Sequence, residues 1–284
     1  MLLKGNLHTH TTISDGAKKP EEVLSMYAEA GYDFIAITDH YSFYPTEISH
    51  GMTVISGIEY DTGVSPLNGV WHIVALGMEK DPGISRFPSK KSVEEIVRTI
   101  KAFGGTVDLA HPAWSMNRPE KILELKDFVD CTEIYNSISG IPFNARPYSG
   151  GIIDMLALEG WYPPCIAVDD VHFYKGDELR SYIVADCSDN TPDSILNSVR
   201  SGKFFATQGP EFSVNIDGEK VYVECTPCEY VCFYTDTLYV PDRVTSGCIT
   251  RAEYRIKPSD TFVRVELIDS DGRFGWSSAY PVSL

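Results

Sequence analysis

The 284-residue sequence lacks two features that would place it in a membrane or along a nucleic acid. No apolar run approaches the length of a membrane-spanning helix, which needs about 18 to 20 consecutive apolar residues. Its 24 lysines and arginines are outnumbered by 40 aspartates and glutamates, which gives a formal net charge of −16. Binding over a long nucleic-acid footprint requires a basic surface that displaces counterions. We therefore expect neither a membrane partner nor a long nucleic-acid partner.

The N-terminus also lacks the pattern of a secretory signal, a charged segment followed by a long apolar one. Strand-like sequence begins at Leu2, so we expect a cytoplasmic protein, unless a signal has been trimmed from a longer chain. The 43% hydrophobic content is enough to bury the core of one large domain or two. The sequence contains no internal repeats and indicates no oligomeric state.

The cysteines do not complete a zinc-finger pattern, and their number, seven, is odd. Three lie singly in apolar stretches and are expected to be buried thiols: Cys131, Cys165 and Cys187. The other four occur late in the chain: Cys225, Cys228, Cys232 and Cys248. The CTPC run has the spacing of half a structural zinc site, but no second such pair follows. Free thiols are the simplest interpretation, with a zinc or a disulfide as alternatives.

Apolar runs of strand length alternate with helical patterns over the first two thirds of the chain. A helix is predicted at 20–31, with Pro20 in its first turn, and another at 92–105, where apolar residues recur with helical spacing. Strands are predicted at 2–9, 33–38, 53–60, 71–77, 105–110, 127–135, 164–169 and 203–208. This alternation predicts a mostly parallel α/β sheet or barrel.

The pattern changes after residue 208. Short alternating or aromatic-rich runs follow, joined by turns, and no helical stripe is longer than one turn. Strand-like runs lie at 212–218, 220–226, 230–235, 237–240, 262–272 and 276–282. We therefore predict a barrel domain over residues 1–208 and an all-β domain of sandwich type over residues 209–284.

Histidine is scarce, yet six of the seven histidines fall at or near predicted strand ends in the first domain. His8 and His10 end the first strand, and their spacing puts both side chains on one face. Further strand ends carry His40, Glu59, His72, His111, Asp170 and His172. The C-terminal strand ends of an α/β barrel converge on one rim. Because imidazole and carboxylate bind zinc, manganese and iron, the sequence predicts a metal centre there.

Each of these residues taken alone also has an ordinary explanation. A single strand-end histidine is more often hydrogen-bonded than metal-bound, Asp15 suits a turn before Gly16, and Asp39 suits a cap. The joint pattern, two HxH or DxH pairs plus four other strand ends, favours metal binding. His50 follows no predicted strand and is left out of the candidate set.

The assembled residues resemble those of the PHP (polymerase and histidinol phosphatase) superfamily of metal-dependent phosphoesterases. Its four signature blocks stand in the family's order as HTH with Asp15, TDH, AHP and DDVH. The resemblance covers about residues 3–208 and implies a distorted (β/α)7 TIM-like barrel. The β-rich end of the chain is similar to a subgroup that carries a small C-terminal β domain.

The resemblance implies two or three divalent ions, Zn, Mn or Fe. The first site would be formed by His8, His10, Glu59 and Asp170. The second would be formed by Asp15, His40 and His172. Glu59 would bridge to a third ion held by His72 and His111. Some relatives have histidine in place of Asp15, which weakens the case for histidinol phosphate as the substrate and leaves the number of ions open.

The resemblance also suggests residues around the metals. Three would support the ligands from behind: Asp39, Glu133 and Asp169, the last by orienting a ligand histidine. Arg146 could reach the substrate, although an ordinary surface arginine beside Pro147 fits as well. Trp114 and Tyr41 could stack on a ring of the substrate or simply pack within the fold.

The expected function is hydrolysis of a small phosphate mono- or diester of the nucleotide or sugar phosphate type. A metal-bridging hydroxide, positioned by Glu59, Asp170 and Asp15, would attack phosphorus in line. The ions would make the pocket locally positive within an acidic protein, which suits a small anionic phosphate ester as the partner.

Two alternatives stay open at this point. A metallo-amidohydrolase or esterase acting on a carboxylic or carbamate ester also begins with HxH, but that class normally adds a bridging carboxylated lysine. No lysine stands at the C-terminal end of a strand predicted in the first domain. The second alternative is a non-catalytic metal-binding scaffold, which the complete ligand set disfavours.

Overall fold

The computed structural model describes residues 1–65, 69–87, 89–237 and 241–283. The first nine strands are β1 Leu2–Asn6, β2 Phe34–Ala36, β3 Glu47–Ser49, β4 Met52–Ile55, β5 Gly57–Ser65, β6 Gly69–Leu76, β7 Thr106–Leu109, β8 Cys131–Asn136 and β9 Cys165–Val168. The others are β10 Tyr182–Asp186, β11 Phe204–Thr207, β12 Phe212–Asp217, β13 Lys220–Tyr234, β14 Val244–Arg255, β15 Phe262–Ile268, β16 Phe274–Trp276 and β17 Tyr280–Pro281. The strand predicted at 237–240 falls almost wholly outside the described residues.

Five α-helices accompany these strands within the described ranges: α1 Pro20–Glu29, α2 Val93–Ala102, α3 Pro119–Ile122, α4 Gly150–Leu158 and α5 Pro192–Arg200. Helix α2 shows how the sequence sets their ends. The Ser92 hydroxyl accepts the Glu95 N–H at 3.3 Å, and the Glu95 carboxylate accepts the Ser92 N–H at 3.0 Å. This reciprocal cap satisfies two donors at the helix start. Among the described residues, no helix has the length and apolar character needed to span a bilayer.

The strands of the described residues form two sheets. The larger has 12 strands, in the order β12-β13-β15-β16-β11-β10-β1-β2-β4-β3, with β14 added on β13 and β17 on β15. The smaller has the order β5-β6-β7-β8-β9. Strands β1, β2 and β4 are parallel, as are β7, β8 and β9, whereas β5, β6 and β7 are antiparallel. The fold is therefore mixed α/β.

The predicted (β/α)7 barrel is not confirmed, because the strands of the described residues lie in two sheets rather than one closed ring. One physical reason is visible at 53–60, where a single strand is predicted. The chain there turns from β4 into β5 and then returns directly along β6. A direct return of this kind forces antiparallel pairing, because a parallel neighbour requires a long crossover connection.

The residues that follow β1, an interior strand of the larger sheet, approach those that follow β9, an edge strand of the smaller sheet. A single backbone bridge pairs Thr9 with Val171. Next to it, the His10 N–H donates to the Val171 carbonyl at 3.1 Å, and the Asp170 N–H donates to the His8 carbonyl at 2.9 Å. The HxH and DxH segments, 160 residues apart in sequence, therefore lie side by side.

Strands on the two sides of residue 208 are hydrogen-bonded to each other, since Ala206 of β11 pairs with Trp276 of β16. The Trp276 side chain is buried in the largest apolar cluster of the protein and stacks on Tyr135 at 4.9 Å between ring centroids. The division into domains at residues 208 and 209 stays a prediction. The C-terminal strands share both a sheet and a core with the strands that precede them.

A buried ionic network also joins the C-terminal strands to α4. The Arg264 guanidinium, on β15, donates to both carboxylate oxygens of Asp154 at 2.8 and 3.0 Å. It also donates to Glu266 and to the Tyr148 hydroxyl, which itself donates to Glu266. Burial lowers the pKa of Arg264, but the two carboxylates raise it well above its ordinary value. The guanidinium is therefore charged and fully enclosed.

Replacing this arginine is expected to destabilise the protein strongly. In Arg264→Met the Glu266 carboxylate stays buried without its cation, and loss of one partner of a buried pair lowers the free energy of unfolding by about 3–5 kcal/mol. Urea denaturation measures the change. The matched control is Arg251→Met, whose exposed side chain pairs with Glu224 and contributes at most about 1 kcal/mol. Equal losses in both variants would contradict the importance of the buried network.

Candidate metal centre

The most compact group of titratable side chains lies where β1, β5 and β9 meet. Its members are His8, His10, Glu59 and Asp170, and all four are buried. The two histidine Nε2 atoms are 3.2 Å apart, and each lies 3.0–3.3 Å from one oxygen of each carboxylate. A tetrahedral ion with ligand distances of about 2.0–2.1 Å needs donor atoms about 3.3 Å apart. The four donors therefore fit a divalent ion.

Two further observations at this group are consistent with metal binding. Asp170 Oδ1 is buried and lies 3.1 Å from both histidine Nε2 atoms, yet it receives no well-directed hydrogen bond from the described residues, although buried polar atoms are nearly always paired. The backbone of Asp170 has a φ of 51°, and that of His111 a φ of 29°. Non-glycine residues in this region carry about 1–3 kcal/mol of strain and cluster at functional sites. An ion at Asp170 Oδ1 would account for the unpaired oxygen.

The second group is more open to solvent. The Asp15 carboxylate lies 3.7 Å from His40 Nε2, 3.6 Å from His172 Nε2 and 3.5 Å from His10 Nδ1. The Nδ1–H of His172 donates to the Asp170 carbonyl at 2.7 Å, and the other ring nitrogen, Nε2, faces Asp15. The structure thus brings together the three residues that the resemblance assigns to a second ion, with His10 beside them.

Glu59 connects the first group to the remaining histidines. Its Oε2 atom faces His8 and His10 and lies 3.2 Å from His40 Nδ1. Its Oε1 atom lies 2.7 Å from His72 Nδ1 and 3.8 Å from His111 Nε2. The tightest third group is therefore His40, Glu59 and His72, with His111 farther away. The family resemblance instead implies that His72 and His111 hold the third ion with Glu59.

Burial and neighbouring charges together shift the pKa values of the histidines and carboxylates in these groups. Burial lowers the pKa of His8 and His10, but the neighbouring carboxylates raise it, well above the ordinary value for His8 and to about 9 for His10. Burial lowers the pKa of His40 more than Glu59 raises it. Burial raises the pKa of Glu59 and Asp170, but the histidines hold it below its usual range. Without metal, protons thus occupy donors that an ion would use.

Glu133 and Asn136, on β8, hold the first group from behind. Glu133 accepts hydrogen bonds from His8 Nδ1 at 2.6 Å and from the His111 N–H at 2.8 Å. Asn136 Nδ2 donates to Glu133 at 2.8 Å and to Asp170 at 3.0 Å. A carboxylate on the far nitrogen of a histidine fixes the tautomer that points its other nitrogen at a metal.

Asp39 and Asp169 support loops instead. Asp39 accepts two backbone N–H groups of the loop at 11–15, at 2.8 and 3.0 Å. Asp169 accepts the Tyr27 hydroxyl at 2.6 Å and three backbone N–H groups at 179–181, at 2.8–2.9 Å. Burial raises the pKa of Asp169 to about 6, although these donors lower it. The predicted role of Asp169 in orienting a histidine is therefore replaced by a role in holding the loop at 179–181.

A cavity of about 260 Å³ opens onto the three groups. It is lined by Asp15, His40, Glu59, His72, His111, Trp114, Ile138, Ser139, Asn144, Asp170, His172 and Phe173. Trp114 thus lines the cavity, but Tyr41 and Arg146 do not. The Tyr41 hydroxyl donates to the Asp61 carbonyl, and Arg146 is exposed on the loop after β8. A larger cavity of about 510 Å³, beside Trp71 and Asn117, contains none of the candidate ligands.

Four lining residues are missing from the sequence-based candidates: Ile138, Ser139, Asn144 and Phe173. Phe173 directly follows His172 of the DDVH block, and this position next to a candidate ligand indicates from the sequence that it lies near the site. The other three belong to a loop that folds back over the site, and no periodicity in the sequence indicates where such a loop returns.

Comparisons with known proteins agree with this arrangement. Residues 6–125 match a family model described as PHP domain, a stretch that holds every candidate ligand except Asp170 and His172. An uncharacterized protein of Methanocaldococcus jannaschii is 24% identical over 169 residues, which cover 55% of this chain and 90% of that protein.

Two solved structures are also similar. A Bacteroides vulgatus structure, described as a two-domain protein containing a predicted PHP-like metal-dependent phosphoesterase, covers 100% of this chain and 95% of its own, with 16% identity and a TM-score of 0.57. A Chromobacterium violaceum structure, described as an amidohydrolase with bound sulfate and no metal, covers 61% of this chain and 89% of its own, with 19% identity and a TM-score of 0.46. The fold of the whole chain is thus similar to that of the Bacteroides protein.

The first group should determine whether the protein retains metal. Purified protein equilibrated with Mn or Zn and then dialysed is expected to hold at least one ion per chain by elemental analysis. His8→Gln removes one buried donor and should lose most of that ion, while His50→Gln, outside the cluster, should match the wild type. Circular dichroism checks that both variants are folded. Full metal retention by folded His8→Gln would refute the assignment.

Metal affinity should also rise with pH. The raised pKa of His10, about 9, means that this imidazole carries a proton at neutral pH in the metal-free protein, and an ion must displace it. Apparent affinity is expected to increase by about tenfold per pH unit for each displaced proton between pH 6 and pH 8, and to level off above pH 9. Competition with a chelating dye measures it. A pH-independent affinity would contradict this protonation state.

Proposed function

We propose that the protein is a metal-dependent phosphoesterase that hydrolyses small phosphate mono- or diesters, because residues 6–125 match the PHP domain family model. The observation that carries this proposal is the buried group of His8, His10, Glu59 and Asp170. Its donor atoms have the spacing of a divalent metal site, and two of its members, Glu59 and Asp170, line the cavity of about 260 Å³. The Bacteroides protein of similar fold is described as containing a phosphoesterase of this kind, which supports the reaction class.

The candidate ligands divide into one buried group and two groups nearer the cavity. Ions held there would supply Lewis acidity that neutralises phosphate charge and activates water as the nucleophile. His8 and His10 are fully buried, whereas Asp15, His40 and His172 are partly exposed, so a substrate reaches the cluster from the side of the second group. Glu59, with one oxygen toward each side, fixes the spacing between the groups.

The negative charge of the cavity lining explains why a phosphate substrate would bind only after metal ions. Three carboxylates line the cavity, those of Asp15, Glu59 and Asp170, and the described lining residues include no lysine or arginine. A phosphate anion would be repelled by this surface alone, and only bound cations reverse its sign. The lack of a lysine among these residues also leaves no counterpart for the carboxylated lysine of an amidohydrolase.

The test is phosphate-ester hydrolysis by the full chain, stripped of metal and reloaded with Mn, Zn or Fe. Release of nitrophenol from nitrophenyl phosphate and from bis(nitrophenyl) phosphate is expected only after reloading. Asp170→Asn should lower kcat/KM by about 100-fold or more, since it removes a metal-facing charge, while His50→Gln should leave it unchanged. A panel of nucleotides, sugar phosphates and histidinol phosphate then ranks substrates. No release by protein shown to contain metal would refute the proposal.

A further inference from the structure

The indole of Trp114 forms a fixed, partly open part of the cavity wall. Its ring plane is steeply inclined to those of His72 and His111, at 73° and 76°, with ring centroids 5.5 and 5.0 Å apart. Its N–H donates to Asn144 Oδ1 at 3.3 Å. The side chain nevertheless keeps 36% of its surface exposed, on a residue that lines the cavity. Its orientation is thus set by the protein, and part of its aromatic surface is left without a partner.

The turn that carries Trp114 is rigidly hydrogen-bonded. The Ser115 N–H donates to the His111 carbonyl at 3.1 Å, and the Asn117 N–H donates to the Pro112 carbonyl at 3.0 Å. Asn117 Nδ2 ties the end of the turn to the Val70 carbonyl on β6 at 2.6 Å. The indole is therefore in place before a ligand arrives, and a ring that binds to it incurs little ordering cost.

Phe173 provides a second exposed aromatic ring, next to His172 of the second group. It is 48% exposed, stacks on Phe143 at 5.1 Å and lies beside His172, with 6.3 Å between ring centroids. Its N–H donates to Asp177 at 2.7 Å, which fixes its backbone. Aromatic surface that is both exposed and held in place beside polar ligands is typical of a site for an amphipathic small molecule.

The charge and size of the cavity limit what such a molecule carries besides its phosphate. The described lining residues offer no lysine or arginine to a second phosphate or a carboxylate, and the carboxylate of Asp15 would repel it. The volume of about 260 Å³ is below the about 300–1,000 Å³ typical of pockets for drug-sized ligands. One phosphate and one small ring match these limits better than a long or multiply charged chain.

We propose that the site selects phosphate esters whose leaving group carries an uncharged flat ring, and that Trp114 determines this specificity by stacking on the ring. The inference rests on the proposed phosphoesterase function and narrows its substrate class. It also replaces the suggested pair of Trp114 and Tyr41 with Trp114 alone, since Tyr41 does not line the cavity.

Binding of non-hydrolysable phosphonates to the Mn-loaded full chain tests ring recognition without relying on activity. Benzylphosphonate and cyclohexylmethylphosphonate have the same charge and nearly the same size, but only the first has a flat ring. Calorimetry is expected to give a Kd about 2- to 10-fold lower for benzylphosphonate, the range that aromatic stacking supplies. 4-Carboxybenzylphosphonate, with a second negative charge, should bind more weakly than benzylphosphonate.

Three variants test whether the Trp114 indole causes the preference for benzylphosphonate over cyclohexylmethylphosphonate. Trp114→Leu should bring the ratio of the two Kd values to about one, and Trp114→Phe should keep most of it. Tyr230→Leu, which removes an exposed aromatic side chain on β13 away from the cavity, should leave the ratio unchanged. Metal content is measured for each variant, because Trp114 contacts two candidate ligands. A wild-type ratio of one, or the wild-type ratio persisting in Trp114→Leu, would overturn the inference.

Phosphate release from benzyl phosphate and cyclohexylmethyl phosphate, measured in parallel, separates the two proposals. Both esters have a primary alcohol as leaving group, so intrinsic reactivity differs little between them. Release without a preference for the benzyl ester overturns ring selection and leaves the phosphoesterase function standing. Ring-selective phosphonate binding with no release from either ester supports recognition by Trp114 and counts against hydrolysis.

Discussion

The site depends on one buried carboxylate, that of Glu59, whose two oxygens face different sets of histidines. One oxygen faces His8, His10 and His40, and the other faces His72. An isolated charge at this depth would be strongly disfavoured, and the surrounding imidazoles are what keep it ionised. The same attraction that raises the pKa of His8 and His10 would be available to a divalent ion. Binding of an ion would therefore displace protons from these two imidazoles.

Much of this site could be predicted from the sequence, because the candidate ligands lie at the ends of strands. The ends of these strands converge on the same side of the fold. The HxH segment at 8–10 and the DxH segment at 170–172 are found from spacing alone, and the hydrogen bonds between them explain why the pattern works. The sequence could not indicate that the run at 53–60 splits into two strands. That split creates the hairpin carrying Glu59 and His72, and with it the departure from a regular barrel.

Other differences arise from features that spacing does not encode. Asp169 and Asp170 are adjacent, yet their carboxylates serve different parts of the structure, one a loop and the other the metal group. The positive φ of Asp170 contributes to this separation, and no residue type in the sequence signals it. The order of His40 and His111 around Glu59 likewise depends on side-chain direction: His40 Nδ1 lies 3.2 Å from one Glu59 oxygen, whereas His111 Nε2 lies 3.8 Å from the other.

The C-terminal strands are connected to the site by a short series of contacts. Arg264 holds Tyr148, the next residue Ser149 accepts the Ala113 N–H at 3.2 Å, and Ala113 precedes Trp114. The aromatic wall of the cavity is thus anchored partly from the β-rich end of the chain. This gives that end a structural role in the site without adding a side chain to the cavity.

We expect one divalent ion to be shared by the two histidines after β1 and the carboxylates of Glu59 and Asp170. Anomalous diffraction from crystals grown with Mn is the direct test of this site. A strong anomalous peak should lie about 2.0–2.2 Å from His8 Nε2, His10 Nε2 and one oxygen of each carboxylate. Crystals that contain Mn elsewhere, with the four side chains still in contact and no peak between them, would contradict it.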